Sequence, residues 1–597
     1  MDSQPKHPFT NAPGSEVQQM NYKDWMHMDT AGAPMALSTD PVNTVRDGVI
    51  ITTGILWAIL SVPFPVASSV AGIFNVLVPY LWPEGETPGT PQAQFTLEQL
   101  MSAVEGLVDE RILASKRSDA VARWQGIQVL NADYTQTIAD LKADPNNKIK
   151  KDRVRDAFDD LEDALKLAMP FFKAQGFEVP MLAMYAQAAN MHLLLLRDVV
   201  QHGASWGFQQ YEIERYYSNT STLGNPGLIQ LLSLYTEHCV SWYNTGLENN
   251  KATNQWHKFN DFRRDMTIMV LDFVSLWPTY NPRLYAKPTK SQLTRTVYQD
   301  RIGASDPEYP KTPIVDIETN GTVPPRLFTW LRQINAYVCK VTAYTGAVTD
   351  MLDGYKLILQ TTLDNQLWET TLKGPGCGRI ESITIPPATS NDDICRINTS
   401  LFYVEHPFWG RMLNELKFSF TKSEDQQIGN RLSGGIRTLN ELPRHRFSYL
   451  GLGASNGITI ALLGGVVYGW THVSADPDNL IDPEKITQIP AVKASSLSEN
   501  ARVVKGPGST GGDLVEIDRT GKINLNLTFS DTTKSYQVRF RWATISGSQS
   551  ADTLRYNDFS YADFTILSPR SNRVNFPIEL EDFDGKIVFD KIEFIPM

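Results

Sequence analysis

The chain has four cysteines in 597 residues, too few for the disulfide framework of a small secreted scaffold. It contains no Cys-x-x-Cys and no His-Glu-x-x-His, so neither a structural zinc module nor a zinc hydrolase is written into it. A basic excess is also missing: Lys and Arg total 55 against 66 Asp and Glu, a formal net charge of −11, which argues against a nucleic-acid binder. The N-terminus, Met1-Asp2-Ser3-Gln4-Pro5, lacks the basic and apolar regions of a signal peptide. One long stretch, residues 48–83, lacks charge altogether. Pro63 and Pro65 divide it into two arms, each better suited to a buried helix than to a membrane span.

What is present is ordered by period. Residues 1–41 are polar and aperiodic and read as a leader without a core of its own. From 42 to 286 the apolar residues recur at helical spacing. Over Lys148–Met169, Val154, Phe158, Leu161, Leu165 and Met169 form one stripe. The rest of that helix carries Asp152, Arg155, Asp156, Asp159, Glu162, Asp163 and Lys166. The next helix, Val179–His202, has almost no polar face, so it is surrounded either by other helices or by lipid. Its length, about 36 Å, would match a bilayer core. From 287 to 462 the period changes to two, with turn clusters between short strands. From 463 to 597 the alternation is clearer, as in Ile523, Leu525, Leu527 and Phe529, and suits a sandwich. The final run changes parity at Asp590-Lys591, which predicts a bulge. Helices followed by strands, without interleaving, predict separate α and β domains.

Two glycine motifs resemble chemistry and fail on context. Gly453-Ala454-Ser455-Asn456-Gly457 fits a nucleophile elbow, but no helix pattern follows it. Gly506-Pro507-Gly508-Ser509-Thr510-Gly511 fits a dinucleotide loop, but a strand pattern follows and Pro507 removes a donor. No catalytic, cofactor-binding or metal-ligating residue is therefore assigned, and the chain is not read as an enzyme.

Several blocks carry a resemblance when taken in order. They are Tyr185-Ala186-Gln187-Ala188-Ala189-Asn190 with His192-Leu193-Leu194-Leu195-Leu196-Arg197-Asp198, then His238-Cys239-Val240-Ser241-Trp242-Tyr243-Asn244-Thr245-Gly246-Leu247. Next come Phe259-Asn260-Asp261-Phe262-Arg263-Arg264-Asp265, Ile489-Pro490-Ala491-Val492-Lys493, Val538-Arg539-Phe540-Arg541-Trp542-Ala543 and Asp590-Lys591-Ile592-Glu593-Phe594-Ile595-Pro596. The set resembles the sequence blocks of the three-domain Cry δ-endotoxins, the insecticidal crystal toxins of spore-forming bacilli. Tyr22-Lys23-Asp24-Trp25 is similar to the mosquito-active branch.

That resemblance implies a multi-domain α + β fold: a seven-helix bundle (42–286), a receptor-binding β-prism (287–462) and a jelly-roll, galactose-binding-like β-sandwich (463–597). It implies a protoxin held in a parasporal crystal inclusion, trimmed by gut proteases, bound to insect midgut receptors of protein or glycan nature, and inserted into the lipid membrane as a cation-permeable oligomeric pore. The inserting hairpin would be the fourth and fifth helices, about 148–202, with Asp156, Asp159, Glu162, Asp163, His192 and Arg197 as pore residues. Receptor contacts are expected from loops containing Thr349, Asp353, Asn391, Asp392, Glu424, Asp425, Asn430 and Arg431, and trimming at Lys23, Arg46 and Lys151. The family's sixth helix would be broken by Asn219–Gly227, and its basic sandwich block is reduced to Arg539 and Arg541. The rival reading of the residues is a carbohydrate-binding adhesin that forms no pore.

Overall fold

The structure is a computed structural model that describes residues 49–51, 104–108, 111–218, 225–253, 256–302, 336–345 and, apart from short internal segments, 352–597. Its helical part contains α1 (Ala114–Ala143), α2 (Lys148–Phe172), α3 (Leu182–Trp206), α4 (Gln210–Tyr217), α5 (Leu228–Ala252) and α6 (Trp256–Met266). Helix α6 runs on through a π-helical turn, Thr267–Leu271, into Asp272–Val274. Most of 42–103 lies outside the described residues, including nearly all of the uncharged stretch. Its one described piece corrects the expectation of a helix there. Val49–Ile51 is a strand, antiparallel to Thr289–Ser291, where three β-branched residues suit a ladder better than a helix.

Local chemistry explains the helix ends. Asn147 caps α2, its Oδ1 accepting from the backbone N–H of Ile149 (3.1 Å) and Lys150 (3.2 Å). Helix α3 starts three residues later and ends four residues later than its apolar pattern predicts. It stops at Gly207, which takes the left-handed conformation (φ 95°), and the Phe208 N–H closes on the Gly203 carbonyl at 3.0 Å. The break expected at Asn219–Gly227 separates α4 from α5, since Ser218 and Gly227 are both extended.

The central domain has three antiparallel sheets. One joins Leu367–Glu369, Leu352–Thr361, Ala336–Thr345 and Arg379–Thr384 in that order, and the second Gln426–Gly429, Arg411–Phe420, Ile394–Tyr403 and Gly435–Asn440. The third joins His445–Ala454, Leu463–His472 and Thr296–Ile302. Val341, Leu357 and Ile383 of the first sheet, Ile397, Leu416 and Phe418 of the second and Tyr468 and Trp470 of the third are buried in a shared core. Phe447 links the last two, 5.7 Å from Phe418 and 5.9 Å from Trp470. Leu463–His472 was expected to open the terminal domain. It pairs instead inside the third sheet of the prism, because it is the return strand of a hairpin with His445–Ala454.

The terminal sandwich packs two sheets around Ile523, Leu525, Leu527, Val538, Phe540, Ile592 and Phe594. The predicted bulge is present. Arg541 pairs with Lys591 and Trp542 with Phe589, leaving Asp590 unpaired in the ladder and free to bind the buried Arg541 guanidinium. Thr289–Ser291, which follows the helices, joins the same sheet as Ile486–Pro490 and Lys586–Pro596, so the sandwich is stitched to the end of the bundle.

Candidate functional site

The two helices expected to form the hairpin differ in surroundings as their compositions predict. On α2 the apolar stripe, Val154, Phe158, Leu161 and Leu165, is buried. Asp156, Asp159 and Asp163 lie on the outer, exposed face. The Asp159 carboxylate accepts from the Tyr216 hydroxyl of α4 at 2.7 Å, and Asp163 pairs with Lys166 at 2.7 Å. Glu162 does not share that face. It is buried, paired with Lys166 at 2.6 Å, and its Oε1 stands 3.6 Å from His192 Nε2 on α3. His192 Nδ1 in turn meets the Tyr235 hydroxyl of α5 at 2.7 Å. The four acids thus divide into three that share the exposed face of α2 and one, Glu162, that is turned inside.

Helix α3 is buried along almost its whole length, from Leu182 to Val199. Its polar side chains are not left to apolar neighbours. Asn190 Oδ1 accepts from Trp277 Nε1 (3.1 Å) and from the Tyr280 hydroxyl (2.8 Å), and both aromatic residues are buried. Arg197 Nη1 donates to the Thr279 carbonyl (2.6 Å) and Nη2 to the Tyr285 carbonyl (3.1 Å). Of the two surroundings that its apolar pattern allows, α3 has protein in this fold. Among the described residues, no helix is long and apolar enough to cross a membrane. Asn190, His192, Arg197 and Asp198 lower its apolarity, and each of them is buried against protein instead of lipid.

Next to this site lies the junction with the two β domains. Arg295 forms a bidentate pair with Asp272 at the end of the α6 segment, with one contact at 2.8 Å, and donates to His445 Nε2 of the prism at 3.0 Å. The Gly506–Gly512 loop fits into the same junction. The Gly511 carbonyl accepts from the N–H groups of Thr294 and Arg295, both at 3.0 Å. A Cβ on Gly508 would meet Leu271 at 3.1 Å, and one on Gly512 would meet Thr294 Oγ1 at 2.2 Å. The glycines therefore permit close contact between domains and do not cradle a phosphate. Of the elbow-like motif, Gly453 and Ala454 end a strand, and 455–457 lie outside the described residues.

Several expected contact residues lie outside the described residues: Lys23, Arg46, Thr349, Asn391, Asn430 and Arg431, together with the Tyr22–Trp25 string. Asp353 belongs to the strand Leu352–Thr361 and not to a loop. The Asp392 carboxylate is occupied in bracing a turn, accepting from the N–H groups of Lys422 (2.7 Å) and Ser423 (3.1 Å) and from both nearby hydroxyls. Burial pushes this carboxyl up, but those hydrogen bonds outweigh it and hold the group below its ordinary value. Glu424 and Asp425 are exposed on the turn, with Asp425 paired to Lys417 at 2.7 Å. Lys151 is one of the expected trimming sites. It sits in the first turn of α2, where its N–H bonds to the Asn147 carbonyl at 3.1 Å, because the Asn147 cap starts the helix before the lysines.

Sequence reasoning missed the partners that restrain α3. Tyr235, Trp277, Tyr280 and Tyr285 carry no motif, and they lie 43 to 90 residues away along the chain from the α3 residues that they bind.

Comparison with known proteins covers all three parts. A family model described as delta endotoxin, N-terminal domain, matches residues 60–281, and two further delta endotoxin models match 289–476 and 486–597. The pesticidal crystal protein Cry1Id of Bacillus thuringiensis is 31% identical over 99% of this chain and 86% of its own length. Among solved structures, a Bacillus thuringiensis Cry1Da tryptic core variant superposes with a TM-score of 0.72 at 27% identity, covering 93% of this chain and 99% of that one. The insecticidal delta-endotoxin Cry8Ea1 from Bacillus thuringiensis gives a TM-score of 0.70 at 25% identity, covering 93% and 100%.

Proposed function

We propose, from the premise that the chain belongs to the three-domain Cry delta-endotoxins, that this insecticidal toxin acts by releasing the α2–α3 hairpin from its bundle into a target membrane, where it forms a cation-permeable pore. The observation that carries the reading is the pairing of a helix buried on all sides, α3, with an amphipathic one, α2, across a link of nine residues, 173–181. Within such a hairpin α3 meets lipid and the charged face of α2 lines water. Asp156, Asp159 and Asp163 share that face and supply its negative charge. Glu162 and His192 face each other between the two helices, so their contact travels with the hairpin.

Access to the membrane comes before insertion. Protein stored as a crystal inclusion is trimmed at Lys23 within the leader or at Arg46 just after it. The exposed turn Thr421–Asp425, braced by Asp392, is held ready to contact a midgut receptor of protein or glycan nature. The test is dye release from receptor-free liposomes by trypsin-trimmed protein, together with planar-bilayer conductance. Release and cation-selective channels are expected. Sugar-dependent binding without leakage or channels would favour the adhesin reading and reject this one.

A further inference from the structure

Segment 279–285, between the helices and the first strand of the central domain, is gripped from two sides. From the bundle, Arg197 holds the carbonyls of Thr279 (2.6 Å) and Tyr285 (3.1 Å). From the sandwich, Arg539 donates through Nη1 and Nη2 to the Leu284 carbonyl, both at 3.2 Å. The Tyr285 hydroxyl donates to Glu593 Oε1 at 2.6 Å, and Arg539 Nε binds Glu593 Oε2 at 2.6 Å. Gln488 Nε2 adds a bond of 2.7 Å to Glu593 Oε1. The Arg539 guanidinium also stands 5.0 Å from the Tyr285 ring centroid and 5.3 Å from that of Tyr561. Arg197, Tyr285 and Glu593 are each no more than 1% exposed.

We infer that this segment is a clasp through which the terminal sandwich holds α3 in the soluble bundle, so that loosening the sandwich from 284–285 is a step that precedes release of α3. A buried guanidinium that loses its acceptors is expelled toward water, whereas one with both carbonyls fixed is retained. Glu593 fixes the Tyr285 side chain, Arg539 fixes the preceding carbonyl, and together they set the geometry that Arg197 requires. The sandwich thus acts on α3 through segment 279–285. Two discrete arrangements are implied, docked with both carbonyls on the Arg197 Nη atoms and undocked with those bonds lost. The clasp deepens the reading of α3 as an inserting helix, but its existence can be tested without a membrane.

The test is amide hydrogen exchange, read peptide by peptide, on the full soluble chain and on Tyr285→Phe and Glu593→Gln. Tyr285→Phe removes one hydroxyl and keeps the ring, which guards against a Glu593→Gln chain that fails to fold. Exchange in 182–206 and 277–285 should rise about tenfold or more, the effect of losing one charge-assisted hydrogen bond. Peptides in 411–420 and 522–529 should keep their rates. A control at the exposed Lys522–Glu579 pair, Lys522→Gln, should leave α3 unchanged. Unchanged exchange in 182–206 for Tyr285→Phe, or a uniform rise over the whole chain, would overturn the clasp. If exchange rises selectively and liposomes still do not leak, the clasp stands and the pore reading fails.

Discussion

Asn190→Leu is the substitution whose cost follows most directly from the geometry. It keeps the branching and the number of heavy atoms of asparagine, with bulkier ends, and removes the one oxygen that accepts from both Trp277 Nε1 and the Tyr280 hydroxyl. Both donors are in residues with 0% exposure, so water cannot replace the lost acceptor. An orphaned buried donor costs about 1–3 kcal/mol, so the pair should cost about 2–5 kcal/mol, less whatever the added apolar surface returns. For a domain of this size, about 2–4 °C of Tm per kcal/mol converts that into a fall of about 4–20 °C. Helical circular dichroism is the fitting probe, because among the described residues the α-helices all lie in the first domain and the other two are mainly β. The three domains need not melt together, so the helical transition is followed by itself. A double-mutant cycle with Tyr280→Phe should return a coupling of about 1 kcal/mol or more. Since the substitution also makes α3 more apolar, leakage from liposomes should become faster while the soluble bundle becomes weaker. A change in the helical midpoint below about 0.5 kcal/mol, with no coupling to Tyr280→Phe, would refute the assignment of Asn190 as a restraint.

Other consequences are checked as simply. Burial, with the nearby Lys173 charge, pulls His238 down to about 4. The unfolded chain therefore binds the proton first, so stability present above about pH 6.5 is lost as pH falls toward 4, by on the order of 2 kcal/mol; His238→Gln should flatten urea midpoints across that window. Removing only one partner of the buried Arg541–Asp590 pair should cost about 3–5 kcal/mol in sandwich stability, whereas Arg541→Met with Asp590→Leu should recover most of it, as seen by calorimetry. Gly511→Ala forces a side chain into φ 73° and places a Cβ 3.0 Å from Leu293 and Ser275, so trypsin should cut near the junction sooner at equal temperature. Neutralising Asp156, Asp159 and Asp163 together should lower cation selectivity in bilayer reversal potentials, while Glu162→Gln alone should change stability more than selectivity.

Much of the architecture was legible because its signals are local. The stripe of α2, the alternation around Ile523–Phe529 and the parity change at Asp590 each need only a few neighbouring residues to be seen. Boundaries were less legible. Val49–Ile51 is a strand only because Thr289–Ser291 offers an edge 240 residues away, and Leu463–His472 belongs to the prism because its hairpin partner precedes it. The site was half legible. Composition marked α3 as enclosed, but not what encloses it, and the apolar run concealed that Asn190, His192 and Arg197 bind partners on other helices and the segment after them. The acids of α2 looked equivalent in sequence, although a 100° step per residue turns Glu162 inward while Asp159 and Asp163 remain outside. The basic remnant Arg539 and Arg541 carried no readable role, because Glu593 and the Leu284 carbonyl come from other parts of the chain.

The central claim is that the link between α2 and α3 crosses the bilayer as the tip of an inserting hairpin. Gln175 is exposed on that link, so Gln175→Cys can be labelled in the soluble protein with a fluorophore, the unsubstituted chain serving as the labelling control. After trimming and addition to vesicles, the account predicts that a membrane-impermeant quencher trapped inside the vesicles reaches the label, while the same quencher outside no longer does. Channels that open while the label remains quenched only from outside would contradict it.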